Sequence, residues 1–259
     1  MDIRMAEKQP LRFYSEPLPG IDPEELQGKL IVVEGPDAVG RSTQVARLRA
    51  WLEHEGHAVL DTGMARSALA GKGIQQAKNG NTLGPVTMTL FYATDFADRL
   101  ENEIIPALRA GFVVITDRYI FSLMARAIAR GEDRVWLEKL AGFALVPHAI
   151  YYLRAEVKDL VTRVVMGRGR FDHWESGMDM RFGTDMHDSF VRYQARLIRA
   201  LDRMADEYNF KVLDASKTPD RIFRELQSSI AKLFPASRKR LGIVAPAPPR
   251  RAPRKTPAA

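Results

Sequence analysis

The chain has 259 residues, 46% hydrophobic and 27% charged, a balance that suits one sizeable globular core. It has no cysteine, which excludes disulfides, thiolate metal sites and cysteine nucleophiles; no apolar run reaches the ~20 residues of a membrane span, and the N-terminal MDIRMAEKQPLRFYSEP lacks a signal-peptide core, so a cytoplasmic soluble protein without membrane partners is expected. The net charge of +7 is confined to the C-terminus: seven of the 39 lysines and arginines lie from Pro235 onward with no acid after Glu225, leaving 32 basic against 32 acidic residues before them.

Residues 1–28, with Pro10, Pro17 and Pro19, are expected to form an N-terminal extension. A strand follows at 29–34 (KLIVVE), then a glycine-bracketed turn, a helix at 42–55 and a strand at 57–62. Helices at 72–79 and 85–110 lead to a strand at 112–117 (FVVITD), helices at 119–130 and 133–145, and a strand at 149–154 (AIYYLR). A helix at 155–166 runs into an arginine-rich stretch at about 167–186 that breaks helical periodicity. A helix at 187–208, a strand at 210–215 (FKVLDA) and a helix at 218–233 complete the pattern. Nearly continuous apolar strands separated by helices predict an α/β fold, a five-stranded parallel sheet with helices on both faces, in one domain over 29–234. Residues 235–259, basic and rich in Pro and Ala, are expected to form a disordered tail. The tail could hold nucleic acid electrostatically; a solubilising role is the simpler expectation.

The stretch VVEGPDAVGRSTQ places a glycine turn between strand and helix. Gly35 and Gly40 bracket PDAV in the spacing of a phosphate-binding loop, where turned backbone N–H groups and a helix N-terminus meet anionic oxygens. Gly35, Pro36, Asp37, Ala38, Val39, Gly40, Arg41, Ser42 and Thr43 are thus expected to hold the phosphates of ATP, with the Ser42 hydroxyl on Mg²⁺. Arg41 stands where such loops carry lysine. It keeps the charge and adds a planar fork of different reach, so two readings follow: a working phosphoryl-transfer site, or a nucleotide-binding site with little turnover. Glu34, Asp117 and Asp214 end three strands at the edge where ligands bind in such sheets.

The loop EGPDAVGRSTQ and the strand end TDRYIFS, with ARSALAGK, LFYATDF and VLDASK, resemble the thymidylate kinase family of nucleoside monophosphate kinases over residues 29 to 234. The first two motifs are specific as a pair and weak alone. The resemblance implies a kinase of this phosphate-loop type with a mobile lid, using ATP and Mg²⁺ to phosphorylate dTMP. It implies that Arg66 and Arg118 clamp the acceptor phosphate, that Asp37 meets the acceptor sugar, and that Tyr92 stacks on the base. Asp117 would bind Mg²⁺ through water or accept from a clamp arginine, and Ser122 belongs to the signature after the strand. Ala38 occupies the loop position where some members carry the catalytic arginine, so Arg168 and Arg170 of the lid, near Arg163, take that role. Asp172 and Glu175 resemble the acidic pair after the lid arginines. Two positions depart from the family. Phe96 replaces a base-reading arginine, for which Arg99 could substitute, and Ala127 stands where a glutamine is common. These leave a different nucleoside monophosphate as an alternative acceptor. A homodimer is implied by the resemblance alone.

Overall fold

The structure is a computed structural model and describes residues 11–80 and 83–234. Among these residues one sheet carries five parallel strands, β1 (Lys29–Glu34), β2 (Val59–Gly63), β3 (Val113–Asp117), β4 (Ala149–Arg154) and β5 (Lys211–Asp214), in the order β2-β3-β1-β4-β5. All five lie where the apolar runs predict them. The helices are α1 (Arg41–His54), α2 (Gly71–Gly80), α3 (Pro85–Arg99), α4 (Ile105–Arg109), α5 (Ile120–Ala129), α6 (Arg134–Leu140), α7 (Val157–Arg168), α8 (Met186–Glu207) and α9 (Pro219–Ala231). None is long and apolar enough to cross a membrane.

Alternation along the strands divides the core in two. Leu30 and Val32 of β1 and Val114 of β3 face a cluster built with α3, α5 and α8. Ile31, Val33 and Ile115 face Val45 and Leu48 of α1, Leu160 of α7 and Leu226 of α9. Polar caps start two of the helices: Asp133 accepts the Trp136 N–H at 2.7 Å and Asp185 that of Asp188 at 2.8 Å. The single helix expected over 85–110 is interrupted by a π turn at Leu100–Ile104. Pro106 has no N–H for an ordinary helical bond, and the wider turn just before it absorbs the defect.

The two-sided burial expected of every strand fails at β5. It pairs only with β4, and Val212 is 52% exposed. The N-terminal extension differs from an appendage in its described part. Leu11 and Phe13 are buried in the core, Phe13 bridges Leu145, and the Val146 N–H donates to Arg12 O at 2.7 Å. The expected basic tail, 235–259, lies outside the described residues.

Register brings the strand ends together at one edge. Val33 and Gly63 both lie opposite Asp117, and Glu34 lies opposite Tyr152. The strand order reverses about β1, which makes the crevice beyond Glu34 the natural ligand position.

Candidate functional site

The loop after β1 turns through three left-handed residues, Gly35 (φ +151°), Ala38 (φ +60°) and Gly40 (φ +96°). A side chain at Gly35 would put its Cβ 2.8 Å from Leu153 O, so β4 can lie against the loop only because this residue is glycine. α1 starts at Arg41 with no side-chain cap, which leaves its first amides for a ligand. Arg41 is buried and braced between the loop and the end of β3. Its Nε donates to Asp117 Oδ1 at 2.8 Å, and its Nη1 to Gly35 O at 2.5 Å and to Pro36 O. Ser42 Oγ donates to the other oxygen of Asp117 at 2.8 Å, and Arg66 Nη2 lies 3.7 Å from that oxygen. Burial works against the charge of Asp117, but Arg41 and Arg118 hold its pKa below the usual value. A serine hydroxyl beside an ionised carboxylate is a hard-oxygen donor set, and it fits Mg²⁺ completed by phosphate oxygens and water.

A second cluster forms around Asp37, inside the loop. Its Oδ1 accepts from Arg118 Nη2 and, at 2.6 Å, from Arg126 Nη2 of α5. Its Oδ2 accepts from Gln194 Nε2 of α8 at 3.1 Å. Asp37 is almost completely buried, and burial opposes its charge, yet Arg126, Arg118 and Arg41 hold its carboxyl far below the usual range. Arg118 sits just past β3 with φ +72°, a strained backbone that aims its side chain at the loop. Burial and the neighbouring Arg41 pull its pKa down to about 10, and its Nε is buried without a partner. An orphaned guanidinium donor at this point fits an incoming anion.

Of the two arginines expected in a lid, Arg168 reaches this cluster through Glu175. Arg168, at the end of α7, donates to Glu175 Oε2 at 2.6 Å, and Arg170 is exposed on the turn beyond. Burial and the Asp37 charge push Glu175 up. Gln194 Nε2 also donates to Glu175 O at 2.8 Å, so one amide joins the segment after α7 to the loop acid. Arg163 joins α7 to the opposite side of the loop, donating to Val39 O at 2.7 Å and to Ala215 O. Beside it an open cavity of about 290 Å³ is lined by Val39, Thr43, Gln44, Arg163, Lys217 and Pro219.

Of the expected acceptor residues, Arg66, Arg118 and Asp37 come together around the loop and Asp117. Asp95 fixes the Arg66 turn by accepting from the Ala65 and Ser67 N–H groups, both at 2.9 Å. Tyr92 lines a nearly filled pocket between α3 and α5. Phe96 does not line it. It lies in the core, edge-on to Tyr119 with ring centroids 4.9 Å apart, because α3 turns this position toward the sheet. Arg99, the possible substitute, is buried and bonded to Asp95 at 3.0 Å. Ser122 is absorbed by Glu34, which accepts from its hydroxyl and its N–H. Arg126, Gln194 and Trp174 join the site without having been singled out in the sequence. An arginine inside the apolar helix IFSLMARAIA requires a buried acid, which is the signal that could have found Arg126. Among the described residues no cluster of three or more His, Asp or Glu forms a metal cage.

A model of the thymidylate kinase family matches residues 33–226. The chain is 33% identical over 210 residues to a probable thymidylate kinase 2 of Saccharolobus solfataricus, covering 81% of this chain and 96% of that protein. It is 33% identical over 221 residues to a thymidylate kinase of Bifidobacterium longum, with 80% and 100% covered. It is 34% identical over 209 residues to a probable thymidylate kinase of Thermococcus gammatolerans, with 77% and 94% covered. One continuous match takes in the loop, the end of β3, the segment after α7 and α8, and on that ground the chain belongs to the thymidylate kinase family.

Proposed function

We propose that the protein transfers the γ-phosphoryl group of ATP to dTMP, giving dTDP and ADP, in a reaction that uses Mg²⁺. The observation that carries this reading is the pairing of two stations around one loop, one suited to Mg²⁺-bound phosphate and one to the acceptor. Ser42 and Asp117 stand on one side, and Asp37 with Arg118 and Arg126 on the other. A hydrolase or a simple nucleotide sensor has no use for the second station.

An oxygen of the acceptor monophosphate attacks the γ-phosphorus, and the bond from that phosphorus to the β-bridging oxygen breaks, leaving ADP. The attacking oxygen is already anionic, so no general base is needed, and Asp37, held deprotonated, does not serve as one. Arg118, with its free Nε, and Arg66 bring the acceptor phosphate against this charge. Ser42 and Asp117 would hold Mg²⁺, which neutralises β- and γ-oxygens when bound. Arg41 fixes the loop through its carbonyls and supplies permanent positive charge beside it. Arg168 and Arg170 close over the transferring group and exclude water.

A second reading, nucleotide binding with little turnover, is favoured by one observation: Nε and Nη1 of Arg41 are taken up by Asp117, Gly35 O and Pro36 O. A coupled assay for ADP formation with dTMP, dUMP, dCMP and dGMP, with product identified by chromatography, separates the readings. Transfer fastest to dTMP is expected. Tight ATP binding with no transfer to any monophosphate would favour the second reading, and faster transfer to another monophosphate would change the acceptor.

A further inference from the structure

We propose that Trp174 is a displaceable plug in the acceptor-base pocket, so that entry of the base expels the indole and moves the lid with it. This rests on the acceptor reading above and adds the residue that controls access.

The pocket lies between α3 and α5, with Met88, Tyr92, Leu123 and Ala127 as its apolar walls and Arg126 and Arg130 at its polar end. The lid brings Trp174 into it, 5% exposed. With the indole in place the remaining cavity is about 20 Å³. That is room for about one water molecule, whereas pockets for organic ligands run to ~300 Å³ or more. A nucleobase cannot enter while Trp174 is there. The departure at Ala127 agrees with this: alanine leaves a space for a large ring, and the indole fills it.

The plug is held by few bonds. Its Nε1 donates to Lys78 O at 2.7 Å, its carbonyl accepts from Arg130 Nη2 at 3.2 Å, and its N–H donates to Asp172 at 2.9 Å. The segment 169–177 that carries it is turns rather than helix or strand. The next residue, Glu175, holds Arg168, and its carbonyl shares Gln194 with Asp37. Withdrawal of Trp174 therefore pulls on the partner of the lid arginine and on the acceptor cluster at once. An acceptor that must open its own site binds more weakly by the fraction of time the site stands open.

The test uses the full chain with Trp51→Phe and Trp136→Phe, which leaves Trp174 as the only indole. Titration with dTMP should shift its emission to the red and saturate, and titration with ADP should leave it unchanged. In the otherwise native chain, Trp174→Ala should lower the KM for dTMP by roughly tenfold if the closed form predominates at about nine parts in ten. It should also admit dGMP as an acceptor. Trp174→Phe, which preserves an aromatic filler, should fall between the two and guards against a folding defect in the alanine variant. Calorimetric binding of dTMP without an emission change, or a higher KM in both variants, would overturn the plug and leave the kinase reading standing. A parent chain that neither binds nor phosphorylates dTMP would remove the acceptor reading itself, and the plug with it.

Discussion

The two sides of the phosphate loop are built differently. On the α1, α7 and α9 side, a cavity of about 290 Å³ stands open between the loop and the turn after β5. On the α3, α5 and α8 side, buried charge is packed around Asp37 and the adjoining pocket is reduced to about 20 Å³. One side is ready for a ligand and the other is closed by its own side chains. The difference predicts that ATP or ADP binds without rearrangement, and that the energetic cost of organising the site falls on the acceptor.

The strongest way to break the comparison is Asp37→Asn. It removes the charge that compensates Arg118 and Arg126, both largely buried. Leaving buried charge unpaired costs about 3–5 kcal/mol, so a marked loss of Tm is expected, with ADP affinity little changed in the protein that remains folded. The pH behaviour has a definite sign. The folded carboxyl titrates far below its ordinary value of 3.8, so its contribution is complete above that value and is lost as pH falls through the folded pKa. Thermal unfolding from pH 7 to pH 4.5 should therefore show no step from this residue. An Asn variant as stable as the parent would show that the cluster is incidental.

Arg41 braces the loop against Asp117 between the two sides, and its removal should be next in effect. Arg41→Ala should lower kcat by about 10²–10³-fold, the scale of ~3–4 kcal/mol found for preorganised charge contacts. Arg41→Lys should keep part of the activity, since it restores charge but cannot bridge Asp117 and two loop carbonyls together. An alanine variant with parental kcat would mean that the arginine only braces the loop.

Arg163 sharpens the comparison by acting on the open side alone. It ties Val39 O to Ala215 O across the cavity and touches nothing of the Asp37 cluster. Arg163→Ala should raise the KM for ATP by about tenfold, as expected of two charge-assisted hydrogen bonds to a binding wall, with the KM for dTMP unchanged. Equal shifts in both constants would show that the two sides are not independent.

This asymmetry also marks what the sequence could show. The open side is local. Gly35 to Thr43 is one continuous stretch, and the strands that flank it are apolar runs whose positions follow from composition and period alone. Arg41 and Ser42 could be assigned to that stretch because spacing along the chain fixes them. The closed side is assembled from distant segments. Asp37 meets Arg126 from 89 residues away and Gln194 from 157, and no periodic pattern encodes such a meeting. Phe96 was legible as a departure from the family, but only the turn of α3 decides that it faces Tyr119 rather than the pocket. Leu11 and Phe13 read as a proline-flanked extension because short segments without period give no sign of what they pack against.

The smallest expected effect separates Arg168 and Arg170, the two arginines proposed for the lid, which the sequence treats alike. Both are exposed, but Arg168 is held by Glu175 at 2.6 Å, whereas Arg170 lies on the turn after α7. A side chain held near the site loses less freedom when the lid closes, so more of its attraction reaches the transition state. Glu175 is itself tied to Gln194 and hence to Asp37, which places Arg168 on the line connecting acceptor and lid. Arg168→Ala should lower kcat by about tenfold, or ~1.4 kcal/mol, with little change in the KM for ATP. Arg170→Ala should lower it by a few-fold at most. Single-turnover rates with saturating ATP and dTMP compare them without the contribution of product release. If Arg170 proved the more important, its exposed position would have to change on closure by more than that of Arg168, and the link through Glu175 would serve the closed acceptor side alone.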